Sequence, residues 1–129
     1  MQATVTLNTA TPFQSTALAG GHTVTLDVPT SLGGGDTGPT PHQMLLTSLG
    51  SCTAITVAMY ATRKEWPLER VEVTVSHADH KAETPIEKTI TLIGNLDADQ
   101  RERLHSIADK CPINLLLKGT ATVNSHLAE

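Results

Sequence analysis

Residues 40–64 read TPHQMLLTSLGSCTAITVAMYATRK, and the fold turns on this stretch. Thr40 is placed as an N-cap, Pro41 as the first helical residue and Gln43 as the capping partner. Together they form a capping box with proline at its preferred position. Arg63 and Lys64 fall in the last turn, where cations meet the negative end of the helix dipole. Pro67 stops any continuation. Between Thr37 and Thr62 there is no Asp, Glu, Lys or Arg. A helix apolar on all sides is a helix expected to be buried on all sides. A membrane span is the competing reading. It is disfavoured by the Thr, Ser and Gly mixed through the segment and by the lack of a preceding Lys/Arg flank.

The 129-residue chain is short for surrounding such a helix alone, which points to a second copy. Its length suits a single domain, residues 1–129, and excludes a kinase or a (β/α)₈ barrel. Thirteen acidic against nine basic side chains give a net charge of −4, unsuited to phosphate backbones or anionic lipid. No nucleic-acid or membrane partner is therefore expected. Phe13, Tyr60 and Trp66 are the whole aromatic complement, so base stacking has almost nothing to use.

Around the helix the pattern changes to period two. Val5 and Leu7, then Val24, Leu26 and Val28, alternate with polar residues, so strands are expected within residues 1–30 with a turn at Gly20-Gly21. Residues 31–39 form a glycine-rich loop lacking the signatures of a phosphate cradle. Val71, Val73 and Val75 start a strand pair over about 70–94, read as an antiparallel hairpin with Glu83, Glu87 and Lys88 on solvated surface. Asp97 and Gln100 make a second capping box, and helices are expected over about 97–118. Ala121, Val123 and Ser125 predict a last strand over about 120–126. Strands, long helix, strand pair, helices and strand give an α+β class. From Met1 to Leu7 there is neither a cationic region nor the apolar core of a signal peptide, and a cytoplasmic location is expected.

Two cysteines are too few for a disulfide scaffold or a paired-cysteine zinc site. Cys52 lies inside the uncharged helix, with Ser48, Leu49, Ile55 and Thr56 at helical spacing. By itself it reads as a small buried hydrophobe. Two features pull the other way. The run Ser48-Leu49-Gly50-Ser51 allows close approach of a backbone or ligand, and Cys111 directly precedes Pro112, at an N-cap that can stabilise a thiolate. The pair can cycle between dithiol and disulfide, form a static disulfide, or never meet. The six histidines show no zinc spacing, so no metal is expected, and His105 falls on a solvated helix face. His42 sits in the first turn of the long helix, ten residues and about 15 Å from Cys52. The two serve one site only if one comes from another chain.

Three segments together resemble the OsmC/Ohr family, osmotically inducible and organic hydroperoxide resistance proteins. They are residues 38–53 (GPTPHQMLLTSLGSCT), residues 59–66 with the Val71–Val75 strand, and residues 108–113 (ADKCPI). The resemblance implies an α+β, OsmC-like fold: antiparallel sheets around a long buried central helix, in an intertwined homodimer with sites at the subunit interface. It implies a cysteine-based peroxidase in which Cys52 matches the peroxidatic cysteine and Cys111 the resolving one. No cofactor is needed. The partners implied are a hydroperoxide substrate and a dithiol reductant, in the Ohr branch a lipoylated protein. Gln43, Ser48, Leu49 and Thr56 are the pocket residues expected around Cys52. The Ohr branch carries a glutamate where His42 stands, paired with an N-terminal arginine that supports the thiolate. Here no arginine precedes Arg63, so His42 and Arg63 are the candidates to replace that device. The alternative reading is a non-catalytic dimer of the same fold that holds a small apolar or thiol-containing molecule at its interface. A purely structural, disulfide-stabilised dimer is the third.

Overall fold

A computed structural model of the chain describes residues 1–128. They divide into two compact units, residues 1–45 and residues 46 onward.

In the N-terminal unit, strands β1 (Ala3–Leu7), β2 (Ser15–Ala19) and β3 (His22–Leu26) form an antiparallel sheet in the order β1-β2-β3. Ala19 pairs directly with His22, so Gly20 and Gly21 alone make the turn. Both have positive φ, 57° and 79°, the conformation a two-residue hairpin matched to strand twist requires. Val5, Ala17 and Val24 stand opposite one another and share a face.

After β3 the chain enters the glycine-rich loop, which is organised by the buried carboxylate of Asp27. Its Oδ1 accepts the Val28 N–H at 2.7 Å, and its Oδ2 accepts the Thr37 hydroxyl at 2.6 Å and the N–H groups of Thr37 and Gly35 at 3.2 and 3.3 Å. The loop amides that would cradle a phosphate are thus partly spent on an internal anion. Gly34 lies so close to the Val28 carbonyl that no side chain fits there.

Helix α1 (Pro41–Arg63) begins as its capping box requires. The Thr40 N–H donates to Gln43 Oε1 at 2.9 Å, and the Gln43 N–H donates to Thr40 Oγ1 at 3.1 Å. It ends at Arg63, and Glu65, with φ 57°, turns the chain while the Trp66 N–H donates to the Ala61 carbonyl at 2.9 Å.

In the second unit, β4 (Leu68–His77) and β5 (Ile86–Gly94) form an antiparallel hairpin, followed by α2 (Ala98–Ala108) and α3 (Pro112–Lys118). Asp97 and Gln100 cap α2 reciprocally at 2.9 and 2.8 Å. The core gathers Val57 and Ala61 of α1 with Leu96, Leu104 and Ala108, and Tyr60, Trp66, Leu68, Val71, Ile90 and Leu92 pack on it. At Gly50, α1 packs closely over β4, against Val73 and Val75. Arg101 fastens α2 to the end of the hairpin through the carbonyls of Leu92, Gly94 and Leu96.

A single chain covers the long helix only in part, as its length led one to expect, and one expectation changes. One chain buries only the stripe Leu49, Thr53, Val57 and Ala61 of α1, spaced by four, and leaves Leu45, Ile55 and Met59 40, 52 and 62 % exposed. The helix is long and apolar enough to cross a membrane by length and composition, a test the core helix of a soluble protein also passes. The last strand expected over 120–126 does not form: residues 120–128 have no regular structure, and Val123 and Leu127 are exposed. A strand needs a partner edge for its backbone groups, and within one chain this segment pairs with none of the described strands.

Asp27 yields a pH prediction. The Thr37 hydroxyl and the Val28 N–H hold its carboxyl below the usual range, outweighing burial, with the Thr37 and Gly35 N–H groups adding to them. Stability from this anion is therefore fully present above the ordinary carboxylate range and lost as pH falls through the depressed value. Thermal unfolding followed from neutral to acid pH should show a steeper loss for wild type than for Asp27→Asn.

Candidate functional site: a cysteine pair around a buried lysine

Cys111 terminates the turn between α2 and α3 with extended backbone angles and acts as the N-cap of α3, followed by Pro112. Its Sγ accepts the Asn114 N–H at 3.3 Å. The residue is completely buried. Thr53, on the buried stripe of α1, brings Oγ1 to 3.5 Å from that sulfur. Cys52 precedes Thr53, is half-buried, and stands near enough to Cys111 for its thiol to help draw the Cys111 thiol down. Both cysteines are free thiols. Elements far apart in sequence thus deliver two thiols to one place.

The third component is Lys88. Its Nζ donates to Thr53 Oγ1 at 3.1 Å, to Asn114 Oδ1 at 3.1 Å and to the Ala108 carbonyl at 3.3 Å. Asp109 Oδ1 lies 3.7 Å away, and only 10 % of the Lys88 side chain is exposed against 57 % for Asp109. Asn114 is itself held by its Nδ2, which donates to the Asp109 carbonyl at 3.0 Å. Burial pushes the Cys111 thiol up. The Thr53 hydroxyl, the Asn114 N–H, the Cys52 thiol and the Lys88 charge pull it down, and together they win. The arrangement suits thiol–disulfide chemistry: a stabilised thiolate beside a second, more accessible sulfur.

The model of the family described as OsmC-like protein matches residues 33–126, which include both cysteines and Lys88. The chain belongs to the OsmC-like family. Solved structures agree on the fold. An OsmC-like protein from Mycoplasma pneumoniae is 21 % identical with a TM-score of 0.72, covering 92 % of this chain and 86 % of that one. An organic hydroperoxide resistance protein OsmC from Legionella pneumophila is 21 % identical with a TM-score of 0.61, covering 92 % and 90 %. The organic hydroperoxide resistance protein OhrB of Bacillus subtilis is 20 % identical with a TM-score of 0.59, covering 92 % of each chain. No curated protein matches the sequence significantly.

Within this OsmC-like chain the sequence-derived site residues separate. Cys52 and Cys111 meet. Arg63 does not join them: it is exposed, and its guanidinium lies 5.9 Å from the centroid of the Tyr60 ring. His42 stays in the first turn of α1. Gln43 is exposed and caps that turn, Ser48 is exposed, Leu49 is buried and Thr56 is half-buried. None of these four lines the two apolar hollows on the open side of α1. Those hollows, about 310 and 450 Å³, are walled by Ile55, Ala58 and Thr62, with Trp66, Leu68 and Val71 in one and Met59 and Arg63 in the other.

Lys88 is the residue that composition concealed, since a Glu/Lys-rich hairpin reads as solvated surface. Strand alternation was the available signal. Ile86, Lys88, Ile90 and Leu92 share the inner face of β5, while Glu87, Thr89 and Thr91 are exposed. Among the described residues no group of three or more His, Cys, Asp or Glu is arranged to hold a metal. His77 Nε2 instead pairs with the Lys81 and Thr84 carbonyls at 2.9 and 3.0 Å.

Mild oxidation of the purified protein with diamide should close an intramolecular Cys52–Cys111 disulfide. Alkylation followed by mass spectrometry should then find no free thiol. Either single Cys→Ser variant should keep its remaining thiol under the same treatment.

Proposed function

We propose that the chain is a thiol-dependent peroxidase acting on hydroperoxides, organic ones in particular. The observation that carries this reading is the contact of a half-exposed thiol with a buried thiol held toward its anionic form. The names of the Legionella and Bacillus relatives point the same way. In the proposed cycle Cys52 is the peroxidatic sulfur. It attacks the O–O bond, takes one oxygen as a sulfenic acid, and releases the alcohol. Cys111 then displaces the oxygen as hydroxide, forming the disulfide. An external dithiol, for which a lipoylated protein is the proposed source, restores both thiols by exchange.

The protein is proposed to work as a homodimer. The exposed Ile55 and Met59 face of α1 and the unpaired strand-like segment 120–126 are what a second copy would cover. His42 and Arg63, ten and eleven residues from Cys52 along α1, are proposed to reach a cysteine site from that second chain.

Consumption of cumene hydroperoxide with dihydrolipoamide as donor should be readily measured for wild type and fall to background in Cys52→Ser. Retention of turnover in that variant would exclude the mechanism. Sedimentation should show a dimer, and the double change Ile55→Glu, Met59→Glu should yield monomer.

A further inference from the structure

Lys88 carries a consequence for which sulfur does what. An ammonium has three protons and no acceptor. Thr53 Oγ1, Asn114 Oδ1 and the Ala108 carbonyl lie within hydrogen-bond distance of it, and all three groups are neutral. The nearby carboxylate, Asp109, is 3.7 Å away and largely in solvent, so it balances the charge only in part. A buried cation needs a nearby anion. Because Thr53 Oγ1 accepts from Lys88, its own proton is left to donate. Thr53 is wholly buried, so solvent does not take that proton, and Cys111 Sγ stands 3.5 Å away. The chain of donation therefore runs from Lys88 to Thr53 to Cys111. Cys52, half-buried, stands near the same sulfur.

We propose that Lys88, acting through the Thr53 hydroxyl, is a positioning residue that keeps Cys111 as the thiolate and thereby gives the disulfide a fixed polarity. This rests on the redox reading above and adds the direction of each exchange. The Cys52 sulfur attacks the peroxide O–O bond and takes one oxygen as the sulfenic acid, its proton going to the departing alkoxide to give the alcohol, with the Cys111 thiolate unchanged. That thiolate attacks the Cys52 sulfur and forms the S–S bond as the S–O bond breaks. The hydroxide departs to solvent, carrying away the negative charge that the Cys111 thiolate brought. In the return half, one thiolate of a dithiol attacks Cys52, and Cys111 leaves with the electron pair of the S–S bond. The second reductant thiol then closes on the first, freeing Cys52 as a thiol. A thiol of lower pKa leaves faster, so a stabilised Cys111 directs the incoming reductant to the accessible Cys52 sulfur.

Two measurements test this, and neither uses peroxide, so failure of the peroxidase reading leaves both informative. The first is thiolate ultraviolet absorbance against pH in Cys52→Ala protein. There the charged groups near Cys111 are Lys88 and, beyond it, Asp109. Lys88→Met should move the titration to higher pH, Thr53→Val should do the same, and Lys88→Arg should largely restore it. If Lys88→Met does not fold, Thr53→Val reads the relay alone. The second begins with diamide-oxidised wild type. Reaction with limiting β-mercaptoethanol, N-ethylmaleimide trapping and peptide mapping should place the mixed disulfide on Cys52 over Cys111 by about tenfold or more. A Cys111 titration unmoved by the folded variants, or equal or reversed capture at the two sulfurs, overturns the proposal.

Discussion

A lysine ammonium withdrawn from water has to be enclosed by oxygen atoms, and in this protein those oxygens come from three helices. Thr53 on α1, Ala108 at the end of α2 and Asn114 on α3 converge on Lys88 of β5. Removing one acceptor from such a centre leaves charge or polarity unpaired, at a cost of about 1–3 kcal/mol for a neutral group and more for the ion. Two of the same residues fix where Cys111 stands, because Thr53 Oγ1 and the Asn114 N–H both touch its sulfur. The electrostatic centre and the mechanical junction of the second unit are therefore one feature. A thiolate there is not an added decoration: it supplies negative charge that the carbonyls and amides lack.

Helix α1 imposes the other constraint. Twenty-three residues without an acidic side chain leave few ways to meet water, and one chain covers just the Leu49–Thr53–Val57–Ala61 stripe. At about 25 cal/mol per Å² of apolar surface, leaving side chains such as Ile55 and Met59 in water forgoes a few kcal/mol of burial. That deficit is the physical argument for a second copy. It also explains why Cys52 is only half-buried: it lies on the flank of the buried stripe, beside Thr53 and toward the open side. The half-exposure of Cys52 and the exposed apolar face of α1 arise from the same incomplete coverage.

Local structure was legible where the decisive interactions are local. Both capping boxes, at Thr40–Gln43 and Asp97–Gln100, close between residues three apart, so sequence spacing alone identifies them. The Gly20-Gly21 turn and the alternation of Val71, Val73 and Val75 are local in the same sense. The segment 120–126 shows the limit. Its alternation meets the requirement for a strand, but a strand is completed by another strand, and in this chain the segment is paired with none. Lys88 shows a second limit. Residue type argues for the surface while its place in the β5 alternation argues for the interior, and only the acceptors waiting there settle which argument wins.

By itself the sequence determined the α+β order of elements, the limits of the long helix, the placing of Cys111 at a helix cap, and membership signals that the family match over residues 33–126 bears out. Those features depend on spacing, capping and periodicity, which act over a few residues. Tertiary structure decided that Cys52 and Cys111, fifty-nine positions apart, are neighbours, and that the cation beside Cys111 is Lys88. Such pairings arise from packing α1, β5, α2 and α3 around a shared charge. The energy of that arrangement belongs to the assembled oxygens and sulfurs, not to any stretch of chain read alone.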